Sequence, residues 1–159
     1  MTELVPDGMP PAKGKSVRAT YWVDANLGHD KVTGRSCSGI IPMFNLTPMT
    51  AFCKLQNTVE TATYCSEFAV ARQAVDMIWA DRFKLRSLGV PIDGPAFMFG
   101  DNKSVVMSST IPSHKLSKRH NFLAFHRVRA LGPRSHQQQW KNQSFDSSTL
   151  MANSTPRTQ

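Results

Sequence analysis

The segment Val17–Asp24, VRATYWVD, leads through Ala25-Asn26-Leu27 into Gly28. Its β-branched and aromatic residues predict a β-strand running into a turn, with Asp24 at the strand's end. After a polar turn, HDKVTGRS, residues Cys37–Phe44 (CSGIIPMF) predict a second strand, and Thr50–Leu55 a third that completes a meander. Pro42 and Pro48 place this part at or near a sheet edge, because proline has no N–H to give to a ladder.

Farther along, Phe68, Ala71, Val75, Ile78, Trp79 and Phe83 recur at intervals of three and four, which predicts a helix over Thr63–Ser87. Gly89 and Pro91 supply its stop signals. The continuous apolar run Ala96–Gly100 (AFMFG) has the pattern of a strand buried on both faces. A short helix is expected from Asp101 or Asn102 to near Ser109, and a basic amphipathic one over Lys115–Leu131, closed by Gly132 and Pro133. Residues 1–16, rich in Pro, Gly and Lys, have the make-up of a flexible leader or linker. Residues 132–159, rich in Ser, Gln, Asn and Thr, contain too few apolar side chains to bury a face and have the composition of a disordered tail. The whole predicts one α/β domain over residues 17–131, a sheet with helices packed on it.

In this order of elements Asp24 ends the first strand, Asp101 ends the buried strand, and Glu67 lies in the first turns of the long helix. If the two strands are neighbours, their ends bring the aspartates side by side, and a helix crossing the sheet presents Glu67 to both. Clustered carboxylates repel unless protons or cations intervene. Hard oxygen ligands of this kind suit Mg²⁺ or Mn²⁺, and two such ions can activate a water and stabilise a leaving oxygen in phosphodiester cleavage. Acids at strand ends also serve as ordinary turn and cap residues.

The charge distribution points the same way. The chain has 159 residues, 19 basic and 11 acidic, for a net charge of +8. Ten of each sign lie in residues 1–101, whereas residues 102–159 hold nine basic side chains and one acid, Asp146. A basic C-terminal third favours a polyanion partner over an acidic small substrate. No apolar run approaches a membrane span of ~20 residues, and the N-terminus lacks a signal-peptide layout, so an intracellular, reducing location is expected. Three cysteines, Cys37, Cys53 and Cys65, with no C-x-x-C pair, read as buried small side chains.

The words around the three acids resemble a known pattern. Tyr21-Trp22-Val23-Asp24-Ala25-Asn26-Leu27-Gly28 followed by Thr33-Gly34-Arg35-Ser36-Cys37-Ser38-Gly39 is similar to the opening signature of the ribonuclease H domain of copia-type LTR retrotransposon polyproteins. Thr58–Ala71 resembles the helix carrying that family's catalytic glutamate. Gly100-Asp101-Asn102-Lys103-Ser104-Val105 resembles its Asp-Asn-x-Ser element, and Lys118-Arg119-His120-Asn121 through His126-Arg127-Val128-Arg129 resembles the basic helix that follows. The four elements occur in order over residues 17–131.

The resemblance implies a ribonuclease H-like fold, with a mixed central sheet of an antiparallel meander plus a parallel strand. It implies hydrolysis of the RNA strand of an RNA–DNA hybrid with two Mg²⁺ or Mn²⁺ ions, Asp24, Glu67 and Asp101 acting as catalytic metal ligands. Glu60 competes with Glu67, which has the Phe-Ala-x-Ala context of the helix. Arg35, Ser36, Asn102 and Ser104 would lie near the hybrid backbone, and Lys115, Lys118, Arg119, Arg127 and Arg129 would contact phosphates. Each also has an ordinary reading: a turn residue for Arg35, a helix cap for Asn102, surface or packing residues for His114, His120 and His126. A reverse transcriptase is the partner such a domain would accompany. The family pattern continues past Arg129 through a fifth strand and a last helix with a fourth aspartate. Here Gly132-Pro133-Arg134 and a Gln-rich segment follow instead, and Asp146 is only a weak match to the fourth ligand. The expectation is thus a C-terminally truncated ribonuclease H. The alternatives are a basic module that binds nucleic acid without cleaving it and a non-functional remnant of a retroelement.

Overall fold

The computed structural model describes residues 7–110 and 122–131. The elements run β1 (Ala19–Asn26), β2 (Cys37–Phe44), β3 (Thr47–Pro48), β4 (Phe52–Leu55), α1 (Thr63–Ser87), β5 (Phe97–Phe99), α2 (Lys103–Thr110) and α3 (Phe122–Leu131). β2 pairs antiparallel with β1 on one side and with β3 and β4 on the other, while β5 lies parallel to β1. The chain is therefore α/β with a mixed sheet, the parallel pair being closed by the crossover through α1.

Alternation decides which face of the sheet is covered. Ala19, Tyr21, Val23 and Ala25 of β1 are buried, as are Ser38, Ile40 and Pro42 of β2. Against this face lies α1, whose Phe68, Val70, Ala71, Ala74 and Val75 join the core together with Met98 and Val105. Phe125 and Val128 of α3 complete it, with the Phe125 ring 6.0 Å from that of Phe68. At 25 residues α1 is about 37 Å long, whereas the eight residues of β1 span about 26 Å, so the last turns of the helix outrun the sheet. Trp79 and Phe83, expected on the core stripe, are exposed.

Several sequence expectations change in detail. β1 begins at Ala19 because Val17 pairs in parallel with Ile92 and the Arg18 N–H goes to Asn45 Oδ1. Pro48 lies in the short outer strand β3 and Pro42 in β2 beside it, so this part is at or near a sheet edge. Pro42 accepts the Met49 N–H at its carbonyl, so its nitrogen faces the same outer side, where the third strand is broken between Pro48 and Phe52. The missing donor thus falls in a gap of the ladder. β5 is covered on one side only. Met98 is buried, but Phe97 and Phe99 turn to the face that no described helix covers, where Phe99 stacks on Trp22 at 4.8 Å and Arg18 lies over Phe97. Among the described residues β5 has no strand on its other side.

Residues 7–16 form no helix or strand but lie along the end of α1, where the Lys13 N–H donates to the Gly89 carbonyl at 2.8 Å. Gly89 ends α1 with a positive φ of 72°, and a Cβ there would stand 3.1 Å from the Pro11 carbonyl oxygen. Both the left-handed cap and the crossing segment require glycine. No described helix is long and apolar enough to cross a membrane. Only Cys65 is a buried thiol; Cys37 is half-buried and Cys53 exposed, because both sit on the face of the sheet that no described helix covers. Residues 132–159 lie outside the described residues.

Candidate metal centre

Asp24 is the third residue from the end of β1, opposite Gly39 of β2. The parallel register sets Trp22 against Phe99, so two residues on, Asp24 and Asp101 emerge at the same end of neighbouring strands. Glu67 faces them from the second turn of α1, on the flank that buries Phe68 and Ala71. One carboxylate oxygen from each of Asp24, Glu67 and Asp101 lies within 4.8 Å of the other two. Three acids separated by 43 and 34 positions thereby converge on one point.

Their surroundings differ. Asp24 and Asp101 are exposed, whereas Glu67 is only 5 % exposed, at the base of a crevice bordered by Val23, Ala71, Gly100, Asn102 and Val105. Burial pushes the Glu67 carboxyl up to about 7, and the negative charges of Asp101 and then Asp24 add to the effect. The backbone N–H of Ala25 donates to Glu67 and opposes the shift without cancelling it. No cationic side chain of the described residues is paired with the cluster. Three hard oxygen donors with a net negative field and two solvent-open members form a donor set that could hold a divalent cation.

A buried polar layer holds Glu67 in place. Gln56 Nε2 donates to Ser38 Oγ at 3.1 Å and to the Ser66 carbonyl at 3.0 Å, tying β2 to the first turn of α1 beside Glu67. Ser66 Oγ in turn donates to the Thr63 carbonyl at 2.9 Å. Sequence reasoning missed Gln56 and the Ala25 N–H. A lone glutamine after a strand carries no signal of burial, and a backbone donor carries none at all.

The other candidate residues separate. Glu60 lies in the loop before α1, accepting from Thr58 Oγ1 at 2.9 Å, and does not join the cluster. Arg35 is exposed in the turn between β1 and β2, whereas Ser36 is fully buried, its Oγ accepting the Gly28 N–H at 3.3 Å. Asn102 caps α2, Oδ1 accepting from the N–H groups of Ser104 and Val105 at 3.1 and 3.2 Å. Ser104 itself is exposed in the first turn. Arg127 on α3 is ion-paired with Asp76 of α1 at 3.0 Å, and Arg129 lies in the same helix. His126 rests between the rings of Phe122 and Phe125, a packing role. Lys115, Lys118, Arg119, His114, His120 and Asp146 lie outside the described residues.

Fold and site together define a class: an α/β protein with an acidic, cation-competent centre at the ends of two parallel strands. Compared with known proteins, the sequence matches no family model and no curated protein.

Proposed function

We propose that the chain is a partial, copia-type ribonuclease H that cleaves the RNA strand of RNA–DNA hybrids. The observation that carries this reading is the meeting of Asp24, Glu67 and Asp101, three acids that the sequence resemblance singles out as ligands and that stand within 4.8 Å of one another. Under this reading the fold is ribonuclease H-like, and Asp24, Glu67 and Asp101 would hold two Mg²⁺ or Mn²⁺ ions. Such ions supply a water of lowered pKa and neutralise charge on the leaving oxygen.

The chain's own groups perform the rest. Glu67 is kept from turning away by the Ala25 N–H and by the Gln56–Ser66 bond on the turn that carries it. Asn102 fixes the start of α2 and so the position of Asp101 beside it. The exposed carboxylates leave the approach open to a phosphodiester, while Arg35 and Ser104 are free at the surface for backbone contacts. A hybrid would be distinguished by its A-like shape and by the 2′-hydroxyls of one strand.

The test incubates the purified full chain with end-labelled RNA–DNA hybrid, with Mg²⁺, with Mn²⁺ and with chelator. Metal-dependent cleavage of the RNA strand is expected, and loss of about 10³-fold or more in rate in Glu67→Gln. Cleavage that persists in chelator, or equally in the variant, overturns the proposal. Only three carboxylates converge among the described residues, and this favours as second reading a module that binds hybrid without cutting it. That reading predicts unchanged hybrid binding in Asp24→Asn and no cleavage by either protein.

A further inference from the structure

We propose that Cys37 and Cys53 form an oxidisable cross-strand dithiol that closes to a disulfide on meeting an anionic low-molecular-weight disulfide. In the ladder of β2 and β4, Cys37 stands opposite Leu55 and Cys53 opposite Gly39, so the two cysteines are diagonal neighbours on one face. Their Sγ atoms are 3.1 Å apart, about 1 Å beyond a disulfide bond of ~2.05 Å. No described helix covers this face, and Cys53 is exposed, so an incoming reagent reaches that sulfur. Cys65, buried in α1, is outside its reach.

The surroundings select the reagent. The thiols open into a shallow depression bordered by His29, Lys31 and Lys54, with Asp30 the one acid. The Asp30 carboxylate is already engaged by the Thr33 hydroxyl and the Val32 N–H. The two lysines attract a negatively charged partner. Cys37 keeps its proton longer, because its hydrogen bond to Cys53, its partial burial and the nearby Cys53 charge all push the thiol up.

The Cys53 thiolate attacks one sulfur of the small disulfide, breaking its S–S bond and releasing one small thiolate. Cys37 then gives up its proton and attacks Cys53 Sγ, forming the intramolecular bond and releasing the second small thiolate. Two cysteine thiols are oxidised, one small disulfide is reduced to two thiols, and the cysteine protons pass to the leaving thiolates. The link would join β4 to the strand whose Gly39 stands beside Asp24. It does not depend on the metal-centre reading, since Cys37 and Cys53 are no part of that donor set.

The experiment treats the reduced full chain with glutathione disulfide, or with cationic cystamine, and follows intact mass and peptide maps. Expected are a mass lower by two hydrogens, a Cys37–Cys53 linked peptide and a Cys65 that still alkylates. At low salt glutathione disulfide is expected to react about 10-fold faster than cystamine. In Cys37→Ser the reaction should stop at a mixed disulfide on Cys53; the wild-type map decides the matter if that variant does not fold. A wild-type product that stays a mixed disulfide with Cys37 free, or a link through Cys65, overturns the proposal. Equal rates with the two reagents overturn its choice of an anionic partner.

Discussion

α1 presents an acid to the β1 side of the sheet at two places, and the two are solved in opposite ways. Near its end, Asp81 accepts a hydrogen bond from Tyr21 Oη at 2.9 Å and an ion pair from Lys84 Nζ at 3.2 Å. Burial, and then the bond to Asp81, hold the Tyr21 phenol well above its ordinary value, so it stays a neutral donor. Near the start, Glu67 has two carboxylates for neighbours and a single backbone N–H in support. A carboxylate with a donor and a cation is a structural device. One held among like charges is stable only with a proton or a cation, so the first site is finished by the chain itself and the second could hold a cation.

The sharpest way to break this contrast is through pH. The folded-state pKa of Glu67 lies above its ordinary carboxyl value, so the metal-free fold pays for ionisation as pH rises. Stability from this group is full below about pH 4.5 and is lost as pH passes through about 7. Discounting for the water that reaches Asp24 and Asp101, the loss between pH 5 and 8 is about 2 kcal/mol. Urea melts of wild type and Glu67→Gln at both values should show that the variant lacks this part of the slope. Added Mg²⁺ at pH 8 should stabilise wild type and leave Glu67→Gln unchanged. Identical slopes in the two proteins would mean that Glu67 ionises freely.

The Tyr21 end predicts a smaller effect of the other kind. Tyr21→Phe removes one hydrogen bond and leaves the packing, so the urea midpoint should fall by an amount worth about 1 kcal/mol, with no Mg²⁺ dependence. A gain in stability would show that Asp81 is better left to water and Lys84. Smallest is Arg127→Ala. Its pair with Asp76 is half-exposed, and the expected cost in a thermal melt is about 0.5 kcal/mol, shrinking in high salt. A much larger loss would make that pair, and not the Phe68–Phe125 contact, the main tie of α3 to α1.

Elements whose local pattern and tertiary setting agree were legible in advance. α1 and β2 have the bounds that periodicity and turn residues predict, Thr63–Ser87 and Cys37–Phe44. Where long-range partners intervene, local reading slips. Trp79 and Phe83 match the helical period of the core, yet both are exposed. Pro42 and Pro48 mark a part at or near an edge, but the gap that Pro42 faces is made by the break between β3 and β4, seven to nine residues farther along the chain. The half-burial of Cys37 and the exposure of Cys53 follow from which face lacks a described helix, which no window around either cysteine contains.

The same division runs through the candidate site. Residue type, order and spacing marked Asp24, Glu67 and Asp101 as the acids to watch, whereas the neighbouring of the first and last was decided by the parallel pairing of β1 with β5. Only tertiary structure decided that Glu67 and not Glu60 completes the cluster, since the face of α1 that packs on the sheet carries the former. Tertiary structure alone also made the three unequal. Burial against Val23, Ala71 and Val105 raises the pKa of one carboxyl while two remain in water, and burial is a property of the assembled layers, not of any stretch of sequence.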